Sequence, residues 1–279
     1  MDAIAILSTG EMGTQVAGRL KRAGARVVTI VAGRSQATAK RAEEAGIECL
    51  RDLDEIVRQA DLVISLVTPF GAVPLARDVA AAMARTGRHI TFVEGNSISP
   101  STACEIEGII TAAGGQFVDG GIIGGAAELD RATFYLSGEG AQAVAARIEP
   151  AVKAVILGTR AGQSSGLKIL NAGLSKGLTA LGVELLLCAE QLGLLSEIMA
   201  RYRKGRSGAA EFFERILPDL PPKAKRRSEE MQELTGLMEE LGLTAHTSRA
   251  AEKVLAMVAE RYGSGSAEWP FRDLGKGGG

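Results

Sequence analysis

The sequence predicts an α/β domain with a doubly wound sheet, then a long connecting helix and an all-α C-terminal domain. Three observations carry this reading. Short apolar runs alternate with amphipathic stretches through the first half of the chain, as in repeated β–α units. One apolar segment, Ser164 to Gly193, then keeps helical spacing with no strong breaker. Every later segment stays helical in period.

The elements follow in order. Ala3 to Leu7 reads as a strand, Ser8-Thr9-Gly10-Glu11-Met12-Gly13 as a tight turn, the stretch to Gly24 as a helix, and Arg26 to Ala32 as the second strand. A helix rich in Ala, Lys and Glu runs from Arg34 to about Ala45, and Gly46 to Leu50 suits a short strand. Asp52 to Gln59 reads as a brief helix and Asp61 to Val67 as a buried strand that Thr68-Pro69-Phe70-Gly71 breaks. Helices are predicted at Ala72 to Ala84, Pro100 to Ala113 and Ala141 to Ile148, and strands at His89 to Val93, from Gln116 through Asp119, and at Thr133 to Ser137. The character changes near Gly158. Beyond the long segment come helices at Leu195 to Lys204, Gly208 to Ile216, Lys223 to Leu241 and Ser248 to Tyr262, with Pro218, Pro221 and Pro222 punctuating one connection. The expected domains are 1–160 and 161–279. The Gly- and Ser-rich end, 263–279, is expected to be mobile unless Trp269, Pro270 and Phe271 dock it.

The first turn carries chemistry. Glycines between a strand and a helix let the backbone approach a pyrophosphate, and the helix N-terminus offers N–H groups and a positive dipole end. The usual spacing is G-x-G-x-x-G; Ser8 stands in the first glycine position, and Gly10 and Gly13 remain. Ser8, Thr9, Gly10, Glu11, Met12 and Gly13 are therefore candidate cofactor-binding residues. The second strand ends in Val31-Ala32-Gly33-Arg34-Ser35, with no acid to accept bonds from a ribose 2′-hydroxyl. Arg34 can pair with a 2′-phosphate and Ser35 can donate to it, so Gly33, Arg34 and Ser35 point to NADP(H).

Bulk properties exclude several classes. A net charge of −1 argues against nucleic acid or an acidic membrane surface as the main partner, and 4% aromatic residues leave no stacking platform. Three cysteines, Cys49, Cys104 and Cys188, have no paired spacing and read as buried, reduced thiols in a cytoplasm. With His89 and His246 far apart, no metal site is expected. The apolar run Leu178 to Ala189, interrupted by Gly182 and Glu184, is too short to span a bilayer.

The long helix opens with Ser164-Ser165-Gly166-Leu167-Lys168-Ile169-Leu170-Asn171. Lys168 and Asn171 share a helix face, and Ser175 follows one turn later. A lysine among Leu and Ile is costly to bury without a partner or a task, and partial burial would suit it to proton transfer. The alternative is a lysine whose stem covers apolar surface while its head reaches water. Among weaker candidates, Arg226 and Arg227 read as a solvated helix face that could instead reach the cofactor phosphate or an acidic substrate, Tyr202 and Phe213 as core that could instead line the pocket, and Asp119 as a residue that structures its own turn.

Four stretches in order resemble the β-hydroxyacid dehydrogenase family, which includes 6-phosphogluconate and 3-hydroxyisobutyrate dehydrogenases. They are Gly10-Glu11-Met12-Gly13, Glu94-Gly95-Asn96-Ser97-Ile98-Ser99-Pro100, Phe117 through Gly125, and Gly162 through Asn171. The helical tail resembles that of an uncharacterised NAD(P)-dependent branch. The resemblance implies a Rossmann domain, Lys168 as general acid/base, and Asn171 orienting the lysine or the reacting oxygen. It implies that Asn96 lies near nicotinamide and substrate, that Val67, Thr68 and Pro69 line the cofactor crevice, and that Ile123, Gly124, Gly125 and Ser175 face the substrate, with N–H groups of Gly124 and Gly125 receiving a carboxylate. Two departures stand out: Ile123 replaces a usual serine, and Ala172 occupies the place where many relatives carry the asparagine.

The expected function is hydride transfer between NADP(H) and a small β-hydroxy acid or its keto or semialdehyde partner. The alternatives are an imine reductase on the same scaffold, whose members usually replace the lysine, and a cofactor-binding sensor without catalysis. The partner is a small molecule, a carboxylate by the resemblance. Because one small domain cannot cover so long an apolar helix, a homodimer is expected.

Overall fold

A computed structural model describes residues 3–33, 35–126, 129–149, 151–265 and 267–276. The chain divides into two compact units, Met1–Ile169 and Leu170–Gly279.

The first unit alternates strands and helices: β1 (Ala3–Leu7), α1 (Glu11–Arg22), β2 (Val27–Ile30), α2 (Gln36–Glu44), β3 (Glu48–Leu50), α3 (Leu53–Gln59), β4 (Ala60–Ser65), α4 (Pro69–Thr86), β5 (Thr91–Glu94), α5 (Pro100–Ala112), β6 (Gln116–Ile123), β7 (Thr133–Ser137), α6 (Ala141–Ile148) and β8 (Lys153–Gly158). The strands form one sheet in the order β3-β2-β1-β4-β5-β6-β7-β8. The first six are parallel, β7 runs antiparallel to β6, and β8 parallel to β7. This is a Rossmann sheet with a mixed extension.

Every residue of β1 is buried, which is what a central strand covered on both faces requires. Side-chain alternation splits them between two cores. Ala3, Ala5 and Leu7 join Ile56 of α3, Val79 and Met83 of α4, and Ile106 and Ile110 of α5. Ile4 and Ile6 join Val16 and Leu20 of α1 and Val144 and Ile148 of α6 on the other face. The strand order reverses between β1 and β4, so the C-terminal ends of these strands flank a crevice, the place where open α/β sheets bind ligands.

The turn after β1 explains its glycines. Ser8 has φ +86°, the conformation that a glycine in the first position would adopt freely. A Cβ on Gly13 would lie 2.0 Å from the Ser8 carbonyl oxygen, so only glycine lets α1 pack this close.

Three expectations change here. The helix after β4 starts at Pro69 and not near Ala72: the stretch that follows the strand also opens α4, where the missing N–H of Pro69 costs nothing. β8 was not foreseen; it is an edge strand whose side chains are half-buried or exposed, so its pattern lacks the buried signature of the other strands. Cys49, Cys104 and Cys188 are all exposed rather than buried.

α7 (Gln163–Gln191) starts in the first unit and continues into the second, where α8 (Leu195–Gly205), α9 (Ser207–Ile216), α10 (Pro221–Glu240) and α11 (His246–Tyr262) follow. Close packing in this unit uses two glycines of α7. A Cβ on Gly173 would lie 2.4 Å from Leu234 Cδ2 on α10, and one on Gly182 would lie 2.5 Å from the Phe213 ring on α9. Phe213 is a buried core aromatic and meets the half-buried Tyr202 at a centroid distance of 6.3 Å. The tail docks through Trp269 and Phe271: both are buried, and the Trp269 indole N–H donates to the Leu217 carbonyl at 2.7 Å. On its other side α7 leaves Leu170, Leu174, Leu181 and Leu185 exposed. By length and composition α7 is sufficient to cross a membrane, which the shorter run Leu178 to Ala189 had not indicated.

Candidate active site

The cofactor side of the crevice begins at α1. Gly10 is its N-cap and brings no side chain to satisfy the first-turn N–H groups. Around Gly10 a Cβ would meet only Ser8 Oγ, at 3.8 Å, so the turn leaves room there. Free helix N–H groups beside an open glycine fit a pyrophosphate. Glu11, Met12 and Gly13 form the first turn of α1. Thr9 is fully buried, and its hydroxyl donates to the Thr38 carbonyl at 3.2 Å.

At the end of β2, Gly33 has φ +72°, a left-handed conformation suited to glycine. Ser35 caps α2 by accepting from the Thr38 N–H at 3.2 Å. Arg34 lies outside the described residues. Sequence reasoning missed Arg41: its Nε donates to the Thr9 carbonyl at 3.0 Å, and its Nη2 to Thr38 Oγ1 at 3.3 Å. A guanidinium therefore ties α2 to the cofactor turn. Nothing in the spacing of an Ala-, Lys- and Glu-rich helix singles it out.

After β4, Val67 is half-buried, Thr68 is the exposed N-cap of α4, and Pro69 is its buried first residue. After β5, Glu94 through Pro100 fold over the strand end. Ser99 caps α5 through the Thr102 N–H, and Pro100 takes the first helical position. Asn96 is buried: its Nδ2 donates to Ser65 Oγ at 2.9 Å and its backbone N–H to Glu94 Oε1 at 2.9 Å.

Lys168 reaches this corner from α7. Its Nζ donates to the Gly95 carbonyl at 3.0 Å. Two features of β6 place it there. Gly121 makes room, since a Cβ would lie 3.1 Å from both Lys168 Cβ and the Ser164 carbonyl oxygen. Asp119 anchors the helix start: Oδ2 accepts the N–H groups of Ser164 and Ser165 at 2.9 and 3.0 Å and the Ser137 hydroxyl at 3.0 Å, while Oδ1 accepts the Ser165 hydroxyl at 2.5 Å. Asp119 does not structure its own turn, as the sequence suggested; it is a mid-strand carboxylate that caps a distant helix.

The substrate candidates on β6 and beyond are only partly gathered. Ile123 ends β6 half-buried, Gly124 has φ +135° and abuts Ala132, and a Cβ on Gly125 would meet open space. Asn171 and Ser175 belong to the second unit. Asn171 is exposed, and the Ser175 hydroxyl donates to the Ala172 carbonyl at 3.0 Å.

Glu94 is the residue the sequence reading left without a role. It is fully buried, and its Oε2 is the single buried side-chain polar atom without a partner among the described residues. Burial pushes its carboxyl from the ordinary 4.5 up to about 7, against opposing pulls from the Asn96 N–H, the Ser65 hydroxyl and the charge of Lys168. A carboxyl whose pKa rises on folding contributes stability below its unfolded pKa and loses it as pH climbs through the folded value. Glu94→Gln keeps the hydrogen bonding and cannot ionise. Between pH 5 and pH 8, unfolding experiments should show the wild type losing on the order of 2 kcal/mol relative to this variant. A difference independent of pH contradicts the buried, uncompensated carboxyl.

Residues 3–177 match the NAD binding domain of 6-phosphogluconate dehydrogenase, and residues 189–258 match a domain of unknown function, DUF1932. An uncharacterised 28.5 kDa protein of Methanothermus fervidus is 31% identical over 175 residues, which span 62% of this chain and 65% of that protein. A conserved hypothetical protein from Sinorhizobium meliloti is 27% identical with a TM-score of 0.70, over 99% of this chain and 94% of that one. The 3-hydroxyisobutyrate dehydrogenase of Mycobacterium tuberculosis, solved with L-serine, shares the fold at 21% identity and a TM-score of 0.74 over 98% of both chains. The matched span contains the Ser8–Gly13 turn, the whole sheet and Lys168, and the chain belongs to the family of the NAD-binding domain of 6-phosphogluconate dehydrogenase.

Proposed function

We propose that this protein is an NADP(H)-dependent oxidoreductase that moves a hydride between its cofactor and a small β-hydroxy acid or the matching keto acid or semialdehyde. The observation that carries the reading is the Lys168 amine, held 3.0 Å from the Gly95 carbonyl at the C-terminal ends of parallel strands, beside a turn fitted to a pyrophosphate. A bound nicotinamide supplies or accepts the hydride. In oxidation Lys168 Nζ takes the substrate hydroxyl proton; in reduction it returns a proton to the forming alkoxide. Asn96, fixed through Ser65, lies on the same strand end and orients the reacting group. Exposed N–H groups at Gly124 and Gly125 offer a place for a substrate carboxylate, with Ile123 in place of a hydroxyl making that end less polar. The NADP preference rests on Arg34 and on the lack of an acid after β2, with Arg41 adding positive charge on α2.

The same reading includes a homodimer. Exposed Leu170, Leu174, Leu181 and Leu185 recur along one side of α7, opposite the side that carries the buried Ala172, Thr179, Val183 and Leu186. The packing of α7 against α9 and α10 supports reading it as a helix of its own unit and not as a membrane span. Sedimentation should give a dimer at micromolar concentration that Leu174→Glu dissociates; a wild-type monomer contradicts this.

Steady-state assays with a panel of small β-hydroxy acids test the chemistry. Lys168→Met should lower kcat by at least about 100-fold while NADPH affinity stays within about threefold. Arg34→Ala should weaken NADPH by about tenfold or more and leave NADH nearly unchanged. Equal losses for both cofactors contradict the NADP assignment. Turnover of cyclic imines without hydroxy-acid activity, or NADPH binding with neither, overturns the proposed reaction.

A further inference from the structure

Four polar side chains lie in register across the C-terminal ends of adjacent strands: Ser65 on β4, Glu94 on β5, Asp119 on β6 and Ser137 on β7. All four are fully buried. Three of them are committed. Asp119 and Ser137 hold the start of α7, and Ser65 accepts from the Asn96 amide. Glu94 keeps one oxygen, Oε2, without a partner. A buried carboxyl is harder to desolvate than the amide or alkyl group that could fill the same space, so its presence beside a lysine calls for a task.

The other oxygen of Glu94 holds the chain. Oε1 accepts the Asn96 N–H at 2.9 Å, a bond that spans Gly95. The Gly95 N–H donates to the Ser65 carbonyl at 2.9 Å, and the Gly95 carbonyl accepts the Lys168 amine at 3.0 Å. Glu94 thus fixes the acceptor on which Lys168 rests. The titratable groups around it come from two elements, Lys168 of α7 and the in-register Asp119 of β6, which is occupied by its helix cap. On the same face of the sheet α4 packs with Ala72 and Ala76 and α5 with Ala103 and Ile106, while the Cys104 thiol of α5 is exposed and feels the Asp119 charge.

We propose that Glu94 is a positioning residue for proton transfer: it fixes the Gly95 carbonyl that holds the Lys168 amine, and its charge governs how readily that amine releases a proton. The role rests on the hydride-transfer reading. Burial brings the Glu94 carboxyl to about 7, and the Lys168 charge is among the influences that oppose burial, so the two groups are coupled. Such coupling is mutual: an ionised Glu94 favours the ammonium form of Lys168, and a neutral one favours the free amine. In oxidation the substrate O–H bond breaks, an N–H bond forms on Nζ, and the ionised carboxyl stabilises the ammonium that results. In reduction the same proton returns to the alkoxide.

The test follows Lys168 directly. Full-length protein carrying lysine labelled with carbon-13 at Cε is titrated by NMR from about pH 5 to about pH 11, and the Lys168 signal is the one missing from Lys168→Arg. In wild type that signal should show a minor inflection near 7, as Glu94 ionises, before its main one. In Glu94→Gln the minor inflection should vanish and the main one move to lower pH by about 0.5 or more, and Glu94→Asp should restore both in part. The wild-type inflection decides the question even where Glu94→Gln does not fold. On whichever β-hydroxy acid the wild type oxidises best, the rising pH limb of kcat should move the same way in Glu94→Gln, with NADPH affinity within about twofold of wild type. A single Lys168 inflection in an active wild-type enzyme, or identical midpoints in wild type and Glu94→Gln, overturns this role and leaves the hydride-transfer reading standing. Absence of turnover with every hydroxy acid removes that reading, and the role with it.

Discussion

A carboxylate in the middle of a strand fixes the start of a helix that begins far along the chain. Asp119 on β6 accepts two backbone N–H groups from the first turn of α7, a hydroxyl from the same turn and a hydroxyl from β7. All the partners are buried. Burying an ionised carboxylate is costly, yet charge-assisted bonds from a helix N-terminus offset that cost, and the positive end of the helix dipole adds to them. Breaking such a cap would leave several donors without partners, each worth about 1–3 kcal/mol when desolvated. The position of α7, and so of the Lys168 amine one turn on, follows from this one side chain.

Around that anchor the sheet is shaped by absent side chains. On Gly121 a Cβ would press on Lys168 and on Ser164, and on Gly120 it would meet the Phe134 ring at 2.6 Å. A Cβ on Gly95 would meet Leu66 at 2.8 Å and the Ser65 carbonyl at 3.0 Å. These glycines bring backbone, amine and the Asn96–Ser65 pair together at one edge of the crevice. The same crowding excludes water from Glu94, which explains why its second oxygen lacks a partner and why its carboxyl resists ionisation.

Much of this was legible in the sequence, for physical reasons. Apolar periodicity placed the first strand, the long helix and the later helices, because those segments bury a regular face. The strand–turn–helix at Ser8 to Gly13 was legible because its glycines answer a local steric demand, which the 2.0 Å approach at Gly13 makes explicit. Lys168 stood out because a lysine among leucines needs a reason. What stayed hidden depends on tertiary neighbours. The Asp119 cap joins residues 45 positions apart, and the Arg41 contact with Thr9 joins residues 32 apart, so no local pattern records either. β8 escaped because an edge strand lacks the two-sided burial that marks the others. The thiols were misplaced because cysteine's general preference for interiors says nothing about a given strand or helix face.

The central claim is that the buried Asp119 cap, through α7, sets the position of the proton-transferring Lys168. Kinetics of Asp119→Asn on whichever β-hydroxy acid the wild type oxidises best test it most directly, with NADPH affinity measured alongside. The account predicts a fall in kcat of at least about tenfold with cofactor affinity within about twofold of wild type, since misplacement by about 1 Å is enough to cost activity of this order. A folded Asp119→Asn protein with unchanged kcat would contradict it.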